Sequence, residues 1–345
     1  MLFRIQRINV ILNKRYYMLI IESTTDNAFF NIATEEYLLL NYPTEEIFLL
    51  YVNAPSIIVG KFQNTLAEIN LDYVRENNIK VVRRMSGGGA VYHDLGNLNF
   101  SFHVPHEDQD FMDFSQFTQP VVDLLNSLDV NAELIGRNDL LIDGKKFSGN
   151  AKLLRHGKIV QHGTILINSE MEILANALKV NPLKFIDKAT KSTRARVTNL
   201  IEYLPENTNT EVFKNQLIEF MLKNNPKAKK YVFTEEENRK IQALVDSKYK
   251  TWDWNFGFSP DYEFKRAIKT PAGFIESHID VERGGNIIKI KIFGDFFASR
   301  PIEEFEKLFI DQSHNIEIIR EILSETDLQS YFGNVEVEEI MPLFV

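Results

Sequence analysis

Three consecutive glycines, Gly87, Gly88 and Gly89, stand between two short β-branched runs at residues 81–85 and 90–92. Glycine reaches positive φ and lets backbone approach a ligand closely, and successive amide N–H groups can line an anion-binding concavity. Arg83 and Arg84 precede the run and supply positive charge for a phosphate or carboxylate. The residues after the run narrow the fold. No Gly-Lys-Ser/Thr comes next and the pattern continues as strand, so neither a Walker loop nor the dinucleotide fingerprint fits. A hairpin turn with arginines facing solvent would produce the same pattern, so the run alone names no ligand.

Short apolar runs alternate with amphipathic segments over the rest of the chain. Met18–Glu22 reads as a strand, followed by a helix over residues 27–41 capped by Asp26, with Phe30, Ala33, Tyr37 and Leu40 on one face. Residues 47–52 and 57–60, separated by Asn53, Ala54 and Pro55, are expected to be adjacent strands. A strand at 98–104 precedes a helix carrying Phe114, Val121, Leu124, Leu125 and Leu128 on one side. Strands are expected at 133–135, 140–142 and 158–167, with Asp143-Gly144 as a tight turn. Helices come next around Phe213, Leu217, Phe220 and Met221, and around Ile241, Leu244 and Val245.

The texture changes after residues 252–257. Residues 274–281 and 287–293 read as a hairpin around Gly284-Gly285, with Ile288, Ile290 and Ile292 sharing a face, and Pro301 opens a short helix with Phe305, Leu308 and Phe309. Pro260 and Pro271 bracket the expected linker. The mixture of hairpins and helices indicates an α+β class rather than a strict βαβ repeat. Two domains are expected, at 18–257 and 258–345. Residues 1–17 contain Arg4, Arg7, Lys14 and Arg15, no acidic residue, and end before Met18, so they read as an extension or an over-called start.

Composition excludes several chemistries. With no cysteine in 345 residues there is no disulfide scaffold, thiolate zinc site, iron–sulfur cluster or cysteine nucleophile. A formal charge of −9 argues against a general nucleic-acid binder, and no apolar run reaches membrane-spanning length. The seven histidines lack His-Glu-x-x-His spacing, and no Gly-x-Ser-x-Gly elbow occurs. Three further clusters remain. Asn138 and Asp139 precede the turn that leads to Lys145, Lys146 and Ser148-Gly149-Asn150; alternation along a strand would put the two lysines on opposite faces, so one of them can face inward. Gln161-His162-Gly163-Thr164 lies within a strand, and residues 192–200 carry Arg194 and Arg196.

Together these segments resemble the two-domain lipoate–protein ligases, from about Met18 to the C-terminus. The resemblance rests on Arg-Arg-x-Ser-Gly-Gly-Gly-Ala-Val-Tyr-His-Asp at 83–94, Gly-Arg-Asn-Asp-Leu at 136–140, Lys-Phe-Ser-Gly-Asn-Ala at 146–151, His-Gly-Thr at 162–164, Arg-Ala-Arg-Val-Thr-Asn at 194–199 and Trp-Asp-Trp-Asn-Phe-Gly at 252–257. It implies a biotin/lipoate-ligase-like catalytic domain with mixed sheets and flanking helices, plus a small α+β accessory domain. It also implies that ATP, accompanied by Mg²⁺, and lipoate condense to lipoyl-AMP and pyrophosphate. A lysine of an acceptor, either a lipoyl domain of a 2-oxoacid dehydrogenase or the glycine-cleavage H protein, then attacks the mixed anhydride.

Residue by residue, the resemblance implies that Arg84 holds phosphate and that Gly89, Ala90, Val91 and Tyr92 pass their backbone along the nucleotide. Lys146 would lie between the acyl carbonyl and the α-phosphate, where a fixed cation stabilises charge developing in both half-reactions. Ser86, Gly87, Gly88, His93, Asn138, His162 and Gly163 would wall the dithiolane chain or the adenylate, and Asp139 would hold the Mg²⁺. Octanoyltransferases and lipoyl amidotransferases of similar outline need a cysteine thioester, which this chain cannot form. Biotin ligases carry a Gly-Arg-Gly-Arg-type loop where this chain has Ser-Gly-Gly-Gly-Ala. A relay that feeds a separate amidotransferase and a non-catalytic lipoyl-binding module are the remaining alternatives. No nucleic-acid or membrane partner is expected, and the expected compartment is the cytoplasm.

Overall fold

The computed structural model describes residues 17–107, 110–136, 138–178, 197–256, 264–282 and 286–344. The expectations for residues 1–16, for Arg194 and Arg196, for Pro260 and for the Gly284-Gly285 turn fall outside these residues.

In chain order the strands are β1 (Met18–Glu22), β2 (Glu46–Val52), β3 (Ser56–Val59), β4 (Lys80–Arg83), β5 (Val91–His93), β6 (Asn97–Pro105), β7 (Ala132–Ile135), β8 (Asp139–Ile142), β9 (Lys145–Arg155), β10 (Lys158–Leu166), β11 (Lys229–Tyr231), β12 (Phe264–Thr270), β13 (Gly273–Val281) and β14 (Ile287–Gly294). They form a mixed eight-stranded sheet of order β11-β1-β2-β6-β10-β9-β8-β7 and two three-stranded sheets, β4-β3-β5 and β12-β13-β14. With the flanking helices this is an α+β fold. β11, β1 and β2 are parallel, and the run from β2 to β7 is antiparallel. No helix among the described residues is long and apolar enough to cross a membrane.

Both faces of the large sheet are covered. Helices Ser115–Ser127 and Thr210–Asn224 pack on one face through Phe117, Val121, Leu125, Phe213 and Leu217, against Phe48, Phe100 and Phe102 of the sheet. Helix Ala28–Asn41 packs on the other through Ile32, Ala33 and Leu38, beside helix Glu235–Leu244. Its cap is Asn27, whose side chain accepts from the Phe29 N–H, rather than Asp26. Because sheet and neighbouring helices cover most of its circumference, burial extends to Glu35 and Glu36, while Leu40, on the same face as the buried Ala33 and Tyr37, is exposed with Asn41 where the helix ends.

Strands β2 and β3 are not neighbours. Asn53-Ala54-Pro55 carries the chain from the large sheet into the small one, where β3 pairs in parallel with β4 and antiparallel with β5. The glycine run therefore joins two strands that do not pair with each other: it crosses the end of β3 and is not a hairpin turn. The Asp143-Gly144 turn is as expected, with φ of 50° and 72° closing the β8–β9 hairpin in the left-handed region that type I′ turns require.

Two expectations about the last ninety residues need correction. β12 occupies Phe264–Thr270, within the stretch expected as linker, and it pairs with β13 along its length. Ile288 does not share a face with Ile290 and Ile292. The β13–β14 register shifts beside Val281, which pairs with Ile287, so Ile288 is the extra residue and is 48% exposed, whereas Ile287 is buried. A separate apolar cluster fills this end of the molecule, with Ile275, Ile290, Phe305, Phe309, Leu323 and Phe332 at its centre and Phe62 reaching in from the small sheet's side.

Candidate active site

A cavity of about 310 Å³ opens where β9 and β10 of the large sheet meet the glycine run and β5 of the small one. Arg84, Gly88, Gly89, Ala90, Val91, His93, Asn138, Asp139, Lys146, His162 and Gly163 all line it. Ser86, Gly87 and Tyr92 do not. Strand alternation explains Tyr92: Val91 and His93 face the cavity, and the Tyr92 ring turns to the apolar cluster of Ile57, Val59 and Ile69 behind the sheet.

Lys146 lies near the start of β9. Its Nζ is 2.8 Å from Asp139 Oδ1 across the β8–β9 ladder, with both side chains a little over one-third exposed. The ammonium folds over Gly149, where an added Cβ would come within 2.9 Å of it, so glycine leaves room for the cation. Thr198 donates its backbone N–H to the Lys146 carbonyl at 2.9 Å, which places residues 197–199 of the arginine-bearing motif beside the lysine. Lys145 is exposed on the opposite face of the strand.

The two arginines have different surroundings. The Arg83 side chain is buried away from the cavity, bonded to the carbonyls of Gly60, Lys61, Gln63, Trp254 and Asn255 and to Thr65 Oγ1. Trp254 and Asn255 of the Trp-Asp-Trp-Asn motif thus form the bed on which Arg83 rests. Arg84 donates from Nε to Ser86 Oγ (3.0 Å), from one terminal nitrogen to Ile58 O (3.0 Å) and from the other to Gly87 O (2.6 Å) and Gly89 O (2.9 Å). It ties both ends of the glycine run together while its guanidinium lines the cavity. Burial pulls its pKa down to about 10, opposed by the negative charge of Glu35.

His93 is held from behind. Asn31 Nδ2 donates to Asn53 Oδ1 at 2.8 Å, which leaves Asn53 Nδ2 to face His93 Nδ1 at 3.0 Å and assigns the ring proton to Nε2. Burial and then the Arg84 charge lower the His93 pKa to about 3, so the ring is a neutral donor at ordinary pH. Asn138 and Asn150 lock together: the Asn150 N–H and Nδ2 both reach Asn138 O, and Asn138 Nδ2 reaches Asn150 O. Gly163 lies against this pair, since a Cβ there would meet Asn150 Oδ1 at 2.2 Å and the Phe100 ring at 2.7 Å.

Several wall residues carry no sequence signal strong enough to single them out. Ile32, Tyr51 and Ile58 supply apolar surface and Asn99 a polar group, beside Asn150 and Thr164 of the motifs already noted. Glu35, next to the cavity, bonds both Tyr51 and His162. Its one visible sign is a pair of carboxylates, Glu35-Glu36, in a helix with no other charged residue. Asp295 and Phe297 reach the cavity from beyond β14, and Phe296 O accepts the Gly88 N–H at 3.2 Å. The Phe297 ring lies so near Gly88, whose φ is +89°, that a Cβ there would be 3.2 Å from it.

Comparison with known proteins shows the family. Residues 27–222 match the family model for the lipoyl protein ligase A/B catalytic domain, and residues 259–344 match the bacterial lipoate protein ligase C-terminus. Lipoate–protein ligase 1 of Staphylococcus aureus is 46% identical over 314 residues, covering 91% of this chain and 95% of the relative. The P. falciparum LipL1 structure in complex with lipoate superposes with a TM-score of 0.78 at 28% identity, covering 90% of this chain and 95% of the other. A lipoate–protein ligase A bound with ATP superposes with a TM-score of 0.58 at 30% identity, over 70% of this chain and 98% of that one. The cavity, its glycine loop and Lys146 therefore sit in a chain that belongs to the lipoate–protein ligase family.

Proposed function

We propose that the protein activates free lipoate with ATP and transfers the lipoyl group to a lysine of an acceptor protein, a lipoyl domain or a glycine-cleavage H protein. The observation that carries this reading is the placement of the Lys146 ammonium on the wall of one cavity with the glycine run, Arg84 and His162. In the first half-reaction a lipoate carboxylate oxygen attacks the α-phosphorus of ATP and pyrophosphate departs. In the second the acceptor amine attacks the acyl carbon and AMP departs. Negative charge grows beside the same two centres in both steps, so one pre-positioned cation serves both. Arg84 and the Gly88–Gly89 backbone would face the phosphates, while Ile32, Tyr51 and Ile58 suit the apolar acyl chain.

Among the described residues, no group of three or more His, Asp or Glu could hold a metal ion by itself. Asp139 fits the smaller role that nucleotide-borne Mg²⁺ asks of a protein, one carboxylate beside phosphate oxygens. Mg²⁺ held there would neutralise charge on the departing pyrophosphate. The reaction asks for no membrane and no nucleic acid, and acceptors of this kind suit an enzyme of the cytoplasm.

Direct transfer is tested by intact-mass analysis of a purified lipoyl domain and of an H protein after incubation with the protein, ATP, Mg²⁺ and lipoate. A mass gain of one lipoyl group on either, lost when the acceptor lysine is changed to alanine, is expected. Adenylate formation with neither acceptor modified would replace direct transfer by a relay through a separate amidotransferase.

A further inference from the structure

Glu35 is a carboxylate in the middle of helix Ala28–Asn41 and only 1% exposed. A buried charge is retained only where partners compensate it. Its Oε1 accepts from the Tyr51 hydroxyl at 3.0 Å, and its Oε2 lies 2.6 Å from His162 Nδ1. His162 Nε2 is 2.6 Å from Ser86 Oγ, which in turn accepts from Arg84 Nε at 3.0 Å. Four groups are thus linked in series from the first helix, across β10, to the arginine that ties the glycine run.

The hydrogens can be assigned. Arg84 only donates, and an ionised carboxylate only accepts. Burial pushes the Glu35 carboxyl up, but His162, His103 and Tyr51 together hold its pKa below the ordinary value, so it is ionised. Ser86 Oγ, which accepts from Arg84, lies 2.6 Å from His162 Nε2 and 3.4 Å from Gly87 O, so its own proton is assigned to the nearer acceptor, Nε2. Arg84 Nε–H then points to Ser86 Oγ, Ser86 O–H to His162 Nε2, and His162 Nδ1–H to Glu35. Every donor points from the cation towards the carboxylate.

We propose that Glu35 is a positioning residue for nucleotide binding: acting through His162 and Ser86, it is the counter-charge that aligns the Nε edge of the Arg84 guanidinium, whose terminal nitrogens hold the Gly87–Gly89 loop. Neither Glu35 nor Ser86 lines the cavity, so the effect on ATP is transmitted through His162 and Arg84, which do. The nucleotide part rests on the functional reading above; the proton arrangement does not. A purely structural Glu35 would support the helix and Tyr51 without dictating which imidazole nitrogen carries the proton.

Long-range ¹H–¹⁵N spectra of the labelled full chain test this, with His162 assigned by difference from His162→Gln. The expected wild-type result is a proton on Nδ1 and a bare Nε2. In Glu35→Gln the new amide keeps its oxygen towards the Tyr51 hydroxyl and turns its N–H₂ to His162, so the proton moves to Nε2. Ser86 then loses its nearer acceptor, its bond to Arg84 Nε loosens while those to Ile58 O, Gly87 O and Gly89 O remain, and the Kd for ATP in equilibrium binding rises about tenfold, the loss of one good hydrogen bond. A wild-type His162 protonated on Nε2 alone, or on both nitrogens, overturns the proposal without any variant having to fold. An unchanged tautomer in Glu35→Gln, or a moved proton with an unchanged Kd for ATP, overturns it equally. Reading ATP by binding keeps the result separate from the ligase activity: a protein that binds ATP as described but forms no adenylate would refute the functional reading alone.

Discussion

Lys146→Ala lowers the rate of lipoyl-adenylate formation by about 10²- to 10³-fold, the range seen when one pre-organised electrostatic group is removed from an active site. The Nζ lies 2.8 Å from Asp139, over Gly149 and on the cavity wall, and its neighbour Lys145, on the other face of β9, cannot take its place. Lys145→Ala is therefore expected to change the rate by less than about twofold, as an exposed substitution away from the site does. The two variants are compared by single-turnover formation of the adenylate with saturating ATP and lipoate. Because the ion pair to Asp139 is partly exposed, the Lys146→Ala protein should keep its melting temperature to within a few degrees, which separates lost chemistry from lost folding. A dead Lys145→Ala beside a competent Lys146→Ala would show that the strand presents the other lysine to the substrates.

Arg83→Met destabilises the fold by about 3–5 kcal/mol, because several buried acceptors lose their donor at about 1–3 kcal/mol each, partly offset by relaxation. No part of the Arg83 side chain is exposed, and its bonds span the turn after β3, the helix Thr65–Glu68 and the Trp254–Asn255 segment, so a single side chain holds three stretches of chain together. Methionine fills a similar volume but cannot donate to those carbonyls, of which Gly60 O keeps the Gln63 N–H and Asn255 O keeps the Thr65 hydroxyl. Urea unfolding monitored by Trp fluorescence measures the loss. A change below about 1 kcal/mol would mean that relaxed backbone or water takes over the carbonyls, and that Arg83 is not the structural hub described.

The sequence makes the pair Arg83-Arg84 look like one basic grip, and only tertiary structure divides it. β3 inserts between β4 and β5, a pairing no local pattern reveals, and the resulting alternation turns Arg83 into the protein and Arg84 towards the cavity. The glycine run, Lys146 and His162 are legible because their chemistry is local: a backbone that must pass close, a cation on a strand, a ring next to a glycine. Glu35 is not, since its partner His162 lies 127 residues away and the helix that bears it is buried on nearly every side. β12 is hidden because Lys265, Arg266 and Lys269 break its apolar pattern. Asp295 and Phe297 come after a strand of the C-terminal sheet and reach the cavity only once that sheet docks against the glycine run, through Phe296 O on the Gly88 N–H and the Phe62–Phe296 stack. Class and element order are visible along the chain; which distant segments complete the site is set by packing.

The central claim is that one cavity joins lipoate to the α-phosphate of ATP. Lipoate-dependent exchange of radiolabelled pyrophosphate into ATP tests it most directly, because exchange requires reversible formation of the adenylate and needs no acceptor protein. Exchange is expected with lipoate in the presence of Mg²⁺, none with biotin, and none above background in Lys146→Ala. Correctly folded wild-type protein that shows no lipoate-dependent exchange, or equal exchange with biotin, would contradict the claim.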